Sequence, residues 1–178
     1  MDEKKLIEQC LAGDRASQKL LFERYGPKML AVCRRYSRHQ LEAEDIFQDA
    51  FIKVFKKLHQ FENRGNLEHW IRRIMINTAI KCLKKSSVKN EMIGLENMPG
   101  GKVNPDAVSQ LSEQELIDLI DTLPDGYRLV FNMYAIEGMS HREIAEQLGI
   151  GESTSRSQLV KARKLLQSKV KELQKVYL

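Results

Sequence analysis

The sequence predicts an all-α fold of two small helical domains joined by a flexible linker. Apolar residues recur at helical spacing along most of the 178 residues, and the chain contains only four prolines that could interrupt helices. The spacing is lost between residues 88 and 111, where Pro99-Gly100-Gly101 and Asn104-Pro105-Asp106 lie. A stretch of that length without helical spacing is unusual inside a compact domain. We therefore assign residues 1–87 to a first domain, 88–111 to the linker and 112–178 to a second domain.

Charge is distributed in two basic blocks around an acidic middle. Residues 1–87 contain 18 Lys and Arg against 11 Asp and Glu, residues 88–126 contain 2 against 8, and residues 127–178 contain 9 against 5. Basic blocks indicate a polyanionic partner, but this excess is too small to identify one by itself.

The cysteines and the N-terminus exclude several protein classes. Cys10, Cys33 and Cys82 are far apart and form no CxxC pair, so we expect reduced, mostly buried thiols rather than zinc ligands or disulfides. The N-terminus lacks the apolar core of a signal peptide, and no run approaches the roughly 18 to 20 apolar residues of a membrane span. We expect a cytoplasmic protein that needs no cofactor and is not itself a membrane protein.

Three helices are predicted at the start of the first domain. Gly13 ends the first helix, and Asp14 caps a second that continues to Tyr36, with a kink or restart expected at Gly26-Pro27. The third covers residues 40–58 and has a wide apolar side.

The opposite side of the third helix carries an isoleucine within an acidic stripe. An exposed apolar side chain among carboxylates indicates a surface that binds another protein. One alternative is a solvated face with a single stray apolar residue, and another is a two-metal nuclease site, which no further carboxylate or histidine cluster completes. The residues of this stripe are Asp45, Gln48, Asp49 and Ile52.

A polar loop at residues 61–67 leads into a fourth helix, predicted over residues 67–85. One face of this helix combines Trp70 with an amide and cations, a combination suited to unpaired nucleic acid because bases stack on aromatic rings while phosphates meet Lys and Arg. A tryptophan taken alone more often belongs to the core than to such a surface, so the interpretation of Trp70 depends on its polar neighbours. The polar face consists of Trp70, Arg73, Ile74, Asn77, Lys81 and Lys84.

The second domain ends in a predicted helix-turn-helix. Ser112 with Glu115 caps a short helix, and another helix is expected from Gly126 to about Ile136. Ser140 with Glu143 forms a second capping box, and Gly149 and Gly151 build a tight turn before a last helix that reaches about Gln167. Ser155, Leu159, Ala162 and Leu166 form its buried stripe.

Small, hydroxyl and cationic side chains occupy the exposed face of that last helix, and a major groove accepts such side chains. An ordinary helical hairpin with a solvated basic face is the alternative. The exposed residues are Arg156, Ser157, Val160, Lys161 and Lys164.

The order of these parts resembles the bacterial RNA polymerase sigma factors of the extracytoplasmic-function (ECF) branch of the sigma-70 family, in the minimal form that holds only regions 2 and 4. Residues 42–55 are similar to the segment that docks on the polymerase, residues 61–77 to the segment that melts the promoter and reads its minus-ten element, and residues 123–166 to the domain that reads the minus-thirty-five element. The resemblance implies the minus-ten role for Phe61, Asn63, Arg64, Gly65, Asn66, Trp70, Arg73 and Asn77. Lys81 and Lys84 are assigned to the same surface because they continue the polar face of the fourth helix.

This resemblance implies a promoter-specificity factor with no covalent chemistry of its own. Its partners would be core RNA polymerase, promoter DNA and an anti-sigma factor, with no small-molecule substrate. A stand-alone helix-turn-helix regulator, whose first domain serves dimerisation or ligand sensing, is the alternative.

Overall fold

The computed structural model describes residues 2–62, 65–87 and 113–176. These residues form helices and no strand, which confirms the all-α prediction. The chain divides into two compact units, Met1–Met92 and Ile93–Leu178. The predicted linker, residues 88–111, lies outside the described residues, as does Ser112 of the first expected capping box in the second domain.

The described residues of the first unit form four α-helices, of which α2, α3 and α4 pack against one another and α1 packs on α2. A single 3-10 turn, Leu58–Gln60, follows α3. The helices are α1 (Glu3–Leu11), α2 (Arg15–Tyr36), α3 (Gln40–Lys57) and α4 (Leu67–Ser87).

The junction of α1 and α2 is fixed by side-chain hydrogen bonds. Asp14 caps α2 as predicted, because its carboxylate accepts a hydrogen bond from the Ser17 backbone N–H at 2.9 Å. The Tyr25 hydroxyl donates to Glu3 at 2.6 Å and ties α1 to α2. Burial and this bond raise the pKa of Tyr25 to about 12, so the hydroxyl remains a donor at neutral pH.

Helix α2 is unbroken from Arg15 to Tyr36 and includes Pro27, so the expected restart at Gly26-Pro27 was wrong. Proline removes one N–H donor from a helix interior. The flanking residues Tyr25 and Met29 are buried, and their packing keeps the helix continuous across the missing hydrogen bond.

The core of α4 is broader than one stripe. Helical spacing predicts a buried stripe of Ile71, Met75, Ala79, Cys82 and Leu83; the first three are buried, whereas Cys82 and Leu83 are only partly buried. Ile76 and Ile80 are also buried, so the helix leaves only a narrow exposed edge.

Two of the three cysteines are buried, and Cys82 is partly exposed. The Cys33 thiol lies 3.9 Å from the Met75 sulfur, and burial raises its pKa to about 12. Cys33 therefore behaves as a small apolar core residue.

In residues 113–176 of the second unit the structure describes four further helices, with α5, α6 and α7 all contacting α8. A π-helical turn, Asn132–Ile136, continues α6 where the sequence predicts ordinary helix. The helices are α5 (Glu113–Asp121), α6 (Asp125–Phe131), α7 (His141–Leu148) and α8 (Glu152–Val176).

Helix α8 is longer than predicted, because it continues beyond Gln167 to Val176. Val170 is buried against Leu119 of α5, and Leu166 and Leu173 pack beside them. This contact with α5 stabilises the added turns.

A buried cation joins α5 to α6. The Arg128 side chain is fully buried, with its Nη1 atom 3.4 Å from an oxygen of Asp121 and its Nη2 atom 3.3 Å from an oxygen of Asp125. Both carboxylates are about half exposed, so the pairs lie at the edge of the core. Helical periodicity did not predict this network.

None of the helices in the described part of the chain is long and apolar enough to span a membrane.

Candidate functional site

The acidic stripe of α3 faces solvent as predicted. Asp45, Gln48 and Asp49 are exposed, and the Ile52 side chain is 53% exposed, while Ile46 on the other side of the helix is buried. Among the described residues neither Asp45 nor Asp49 forms an ion pair, so their charges are not neutralised within the unit.

Leu41 extends this stripe and was not predicted as part of it. It precedes Ile52 by eleven residues, which is about three helical turns, so the two side chains share a face. Leu41 is 75% exposed, more than any other large apolar residue identified as exposed. Leu41 lies at the start of the helix, where too few apolar residues precede it for the sequence pattern to assign it to a side.

Phe61 does not face solvent, contrary to its expected place among the DNA-facing residues. Its side chain is only 8% exposed and its ring packs on that of Trp70, with centroids 5.6 Å apart. Trp70 is partly exposed, so it belongs both to this contact and to the surface. Phe61 therefore anchors the start of the loop in the fold described here.

The remaining loop residues are polar and precede α4. Gly65 and Asn66 are exposed, and the Asn66 side-chain carbonyl accepts a hydrogen bond from the His69 backbone N–H at 3.3 Å, which caps the helix. Asn63 and Arg64 lie outside the described residues.

A polar edge runs along α4. Its residues recur every three or four positions and are exposed, which confirms the predicted face; they are Arg73, Asn77, Lys81 and Lys84. Ile74 of the same face is partly buried.

Arg72, to which the sequence assigned no role, pairs with a glutamate of its own helix. Its guanidinium lies 3.5 Å from Glu68, which also accepts a hydrogen bond from Lys28 of α2 at 2.9 Å. The hydrogen bond from Lys28 lowers the pKa of Glu68. Glu68 thus joins α4 to α2.

The turn of the helix-turn-helix has the predicted geometry. The Glu143 backbone N–H donates to the Ser140 hydroxyl oxygen at 3.3 Å, and the Ser140 backbone N–H donates to the Glu143 carboxylate at 2.8 Å, which completes the capping box. Gly149 has φ of +71°, and its N–H donates to the Ala145 carbonyl at 2.8 Å. A residue with a side chain would be strained at that φ.

Helix α8 buries the predicted stripe and exposes the predicted face. Ser155, Leu159 and Ala162 are buried, and Leu166 is partly buried. The exposed residues are Arg156, Ser157, Val160, Lys161 and Lys164.

Contacts within the unit hold one residue of this face and one residue beside it. The Arg156 guanidinium pairs with Glu152, one turn earlier on α8. Gln158 lies beside Gly126 at the start of α6, where a Cβ atom on that glycine would be 3.4 Å from the Gln158 amide nitrogen. The Gln158 side chain therefore packs within the unit instead of joining the exposed face.

Together the capped turn and the exposed cationic helix define the second unit as a helix-turn-helix of the DNA-binding class. Family models match both units: the model of sigma-70 region 2 matches residues 21–88, and that of sigma-70 region 4 matches residues 113–166. The chain belongs to the ECF branch of the sigma-70 family of transcription-initiation factors.

Curated relatives match along nearly the whole chain. The ECF RNA polymerase sigma-E factor of Haemophilus influenzae is 28% identical over 181 residues, covering 94% of this chain and 95% of the relative. The sigma-E factor of Escherichia coli is 29% identical over 180 residues, with 94% of each chain covered.

Solved structures of similar fold include two protein complexes, one of which contains a sigma factor. CnrH, in complex with the cytosolic domain of CnrY, has a TM-score of 0.54 and 20% identity, covering 96% of this chain and 97% of that chain. RpoE from Bartonella quintana, in complex with the anti-sigma factor NepR, has a TM-score of 0.56 and 22% identity, covering 86% and 96% respectively. These likenesses support the fold.

Proposed function

We propose that this chain recruits core RNA polymerase to promoters by reading their minus-thirty-five and minus-ten elements. It then separates the two DNA strands at the promoter. Polymerase supplies the catalysis, and the chain supplies specificity in the cytoplasm. The observation that supports the proposal is the exposure of the α3 stripe, the polar edge of α4 and the cationic face of α8 on units that match regions 2 and 4.

The α3 stripe is the proposed polymerase surface. Ile52 can be buried by a partner whose cations pair with Asp45 and Asp49, and Gln48 can supply hydrogen bonds at the same face. Burying an exposed isoleucine contributes roughly 1.5 to 3 kcal/mol when its side chain is wholly removed from water.

The exposed edge of α4, with Trp70 and the loop before it, is the proposed minus-ten and melting surface. Bases flipped out of a duplex stack on aromatic and guanidinium groups, while cations hold the strand. Arg73 and Lys81 supply cations, and Asn77 supplies both a donor and an acceptor.

Helix α8 is the proposed reader of the minus-thirty-five element. Its N-terminal turns carry Arg156 and Ser157, the position at which recognition helices reach base edges. Lys161 and Lys164 lie further along and are suited to phosphates.

An anti-sigma factor is a further proposed partner, because RpoE of similar fold is complexed with the anti-sigma factor NepR. Such a protein would control access of the chain to polymerase.

In vitro transcription with purified core polymerase on a fragmented genomic library tests the proposal. We expect the chain to co-elute with core enzyme and to produce transcripts from a small set of promoters that share upstream and downstream elements. Binding to a DNA operator without polymerase, and no transcription with it, would support a stand-alone regulator instead.

A further inference from the structure

Three side chains of the second unit form a cluster next to the exposed face of α8. The rings of Tyr134 and His141 are stacked, with centroids 4.6 Å apart and planes inclined by 22°. The Arg163 guanidinium carbon lies over the Tyr134 ring, 5.6 Å from its centroid. The cluster therefore joins the π-helical turn after α6, the first residue of α7 and the middle of α8.

A hydrogen bond fixes the cluster to the buried side of α8. The His141 Nδ1 atom lies 2.9 Å from the hydroxyl oxygen of Ser155, which is fully buried. His141 is hydrogen-bonded to Ser155 and stacked on Tyr134. These two contacts hold the Tyr134 ring in place beside Arg163.

The charge of Arg163 is not neutralised within the unit. Arg156 and Arg142 each pair with a glutamate four residues away, whereas Arg163 forms no ion pair among the residues that the structure describes. Its side chain is exposed on α8.

Arg163 follows Arg156 by seven residues, which places it on nearly the same side of the helix, about 10 Å further along the axis. The N-terminal turns of a recognition helix reach base edges, and residues further along leave the base pairs and approach the DNA backbone. Arg163 is thus placed to meet a phosphate.

We propose that Arg163 is a further promoter contact that donates to a DNA phosphate beside the minus-thirty-five element, and that Tyr134 and His141 hold it in position. This inference rests on the proposed reading of that element by α8. The attraction between a guanidinium and a ring uses none of the five N–H donors in a hydrogen bond, so these donors remain for a phosphate. Holding the side chain before binding also reduces the conformational entropy lost on binding.

The charge of Arg163 is tested by the salt dependence of binding. Holoenzyme reconstituted with the full chain is bound to a duplex that it has selected from a random-sequence library. Loss of one phosphate contact removes about 0.9 from the slope of log affinity against log salt, which corresponds to about fivefold weaker binding near 0.15 M salt. We expect Arg163→Ala to show this slope and loss with an unchanged base preference. Lys169→Ala is the matched control, because Lys169 lies six residues further and about 120° away around α8.

The role of Tyr134 is tested by Arg163→Lys and by a double variant. Lysine keeps the charge, but its ammonium lacks the planar guanidinium group that packs on an aromatic ring. We therefore expect Arg163→Lys to show an unchanged salt slope and an affinity about two- to threefold lower. Tyr134→Leu should also lower affinity, and combining it with Arg163→Ala should cause no further loss. Tyr134→Phe keeps the ring and should bind like the unsubstituted protein.

The results separate this inference from the proposed function. If the unsubstituted holoenzyme selects no sequence, the proposed function fails. If it selects one and Arg163→Ala matches it in affinity and slope, or alters preference at a single base, the phosphate contact is refuted. The positioning role of Tyr134 would be refuted if Arg163→Lys bound with full affinity. It would also be refuted if the losses of Arg163→Ala and Tyr134→Leu were additive in the double variant. Because Arg163 is exposed, the Arg163→Lys variant tests the positioning role even if Tyr134→Leu unfolds.

Discussion

The Phe61 ring packs on the Trp70 ring, so the entrance to the loop before α4 is fixed to the helix that carries the proposed melting surface. Phe61 is buried and Trp70 is partly exposed. Substituting either ring would therefore change packing together with any contact to DNA. Melting is better tested at a residue of the same surface that has no packing role.

Asn77 meets that requirement because it is exposed on α4. We expect Asn77→Ala to lower the yield of open complex on duplex promoters. The substitution removes the side-chain amide that would form hydrogen bonds with a base extruded from the duplex. Closed-complex affinity should be unchanged, and a pre-melted promoter should restore the yield. Gln40→Ala, at an exposed amide at the start of α3, is the control. Equal yields for the Asn77 variant and the unsubstituted protein on both templates would exclude this role.

Arg156 is expected to read a base. Arg156→Ala should weaken promoter binding by the holoenzyme by about 1 to 3 kcal/mol and relax preference at one base position, as loss of a bidentate contact does. Arg142→Ala is a matched control because Arg142 also pairs with a glutamate four residues away. Competition binding against a panel of single-base promoter variants measures both effects. A uniform loss over the panel would identify Arg156 as a phosphate contact instead.

The capping box should stabilise the helix-turn-helix measurably. Ser140→Ala is expected to lower the free energy of unfolding by about 1 kcal/mol, because the Glu143 N–H loses its side-chain acceptor. Glu143→Ala should have a similar effect. Chemical denaturation of both variants and of the double variant measures the coupling, and fully additive losses would contradict a shared box.

Arg128 requires its carboxylate neighbours. Asp121→Asn combined with Asp125→Asn should destabilise the chain by about 1 to 3 kcal/mol, because a buried guanidinium loses its countercharges; the half-exposed carboxylates keep this below the cost for a wholly buried pair. Arg128→Met removes the charge and keeps much of the volume, so it should cost less. Thermal unfolding of the full chain compares the two. A larger loss for Arg128→Met would mean that packing of the arginine stem dominates.

Local patterns in the sequence predicted much of this structure. The Ser140 capping box, the left-handed Gly149 and the buried Ser155 follow from residue type and spacing within one or two helical turns. The exposure of Ile52 follows from the same periodicity.

Features that depend on contacts between separate elements escaped prediction. The last turns of α8 pack against Leu119 of α5, some fifty residues earlier in the chain. Arg128 pairs with Asp121 of another helix, and Phe61 packs on Trp70 of the helix that follows it. Arg163 of α8 lies over the Tyr134 ring. Helical periodicity describes which side of a helix is apolar and carries no information about which partner covers it.

If the α3 stripe binds core RNA polymerase, reversing its charges should abolish binding and leave the fold intact. Asp45→Lys combined with Asp49→Lys changes two exposed carboxylates, so helicity and melting temperature should be retained. Charge reversal within an interface can cost several kcal/mol. Ile52→Ser should weaken binding more mildly, again with little effect on stability, because Ile52 is exposed in the free protein.

Co-elution of the full chain with core polymerase, measured beside promoter-dependent transcription, is the most direct test. The matched control is Glu8→Lys with Glu23→Lys, which makes the same change of charge at exposed residues of α1 and α2. We predict that the Asp45 and Asp49 double variant fails to co-elute and to initiate while the control does both. A folded double variant that co-elutes and initiates like the control would contradict the assignment of this surface.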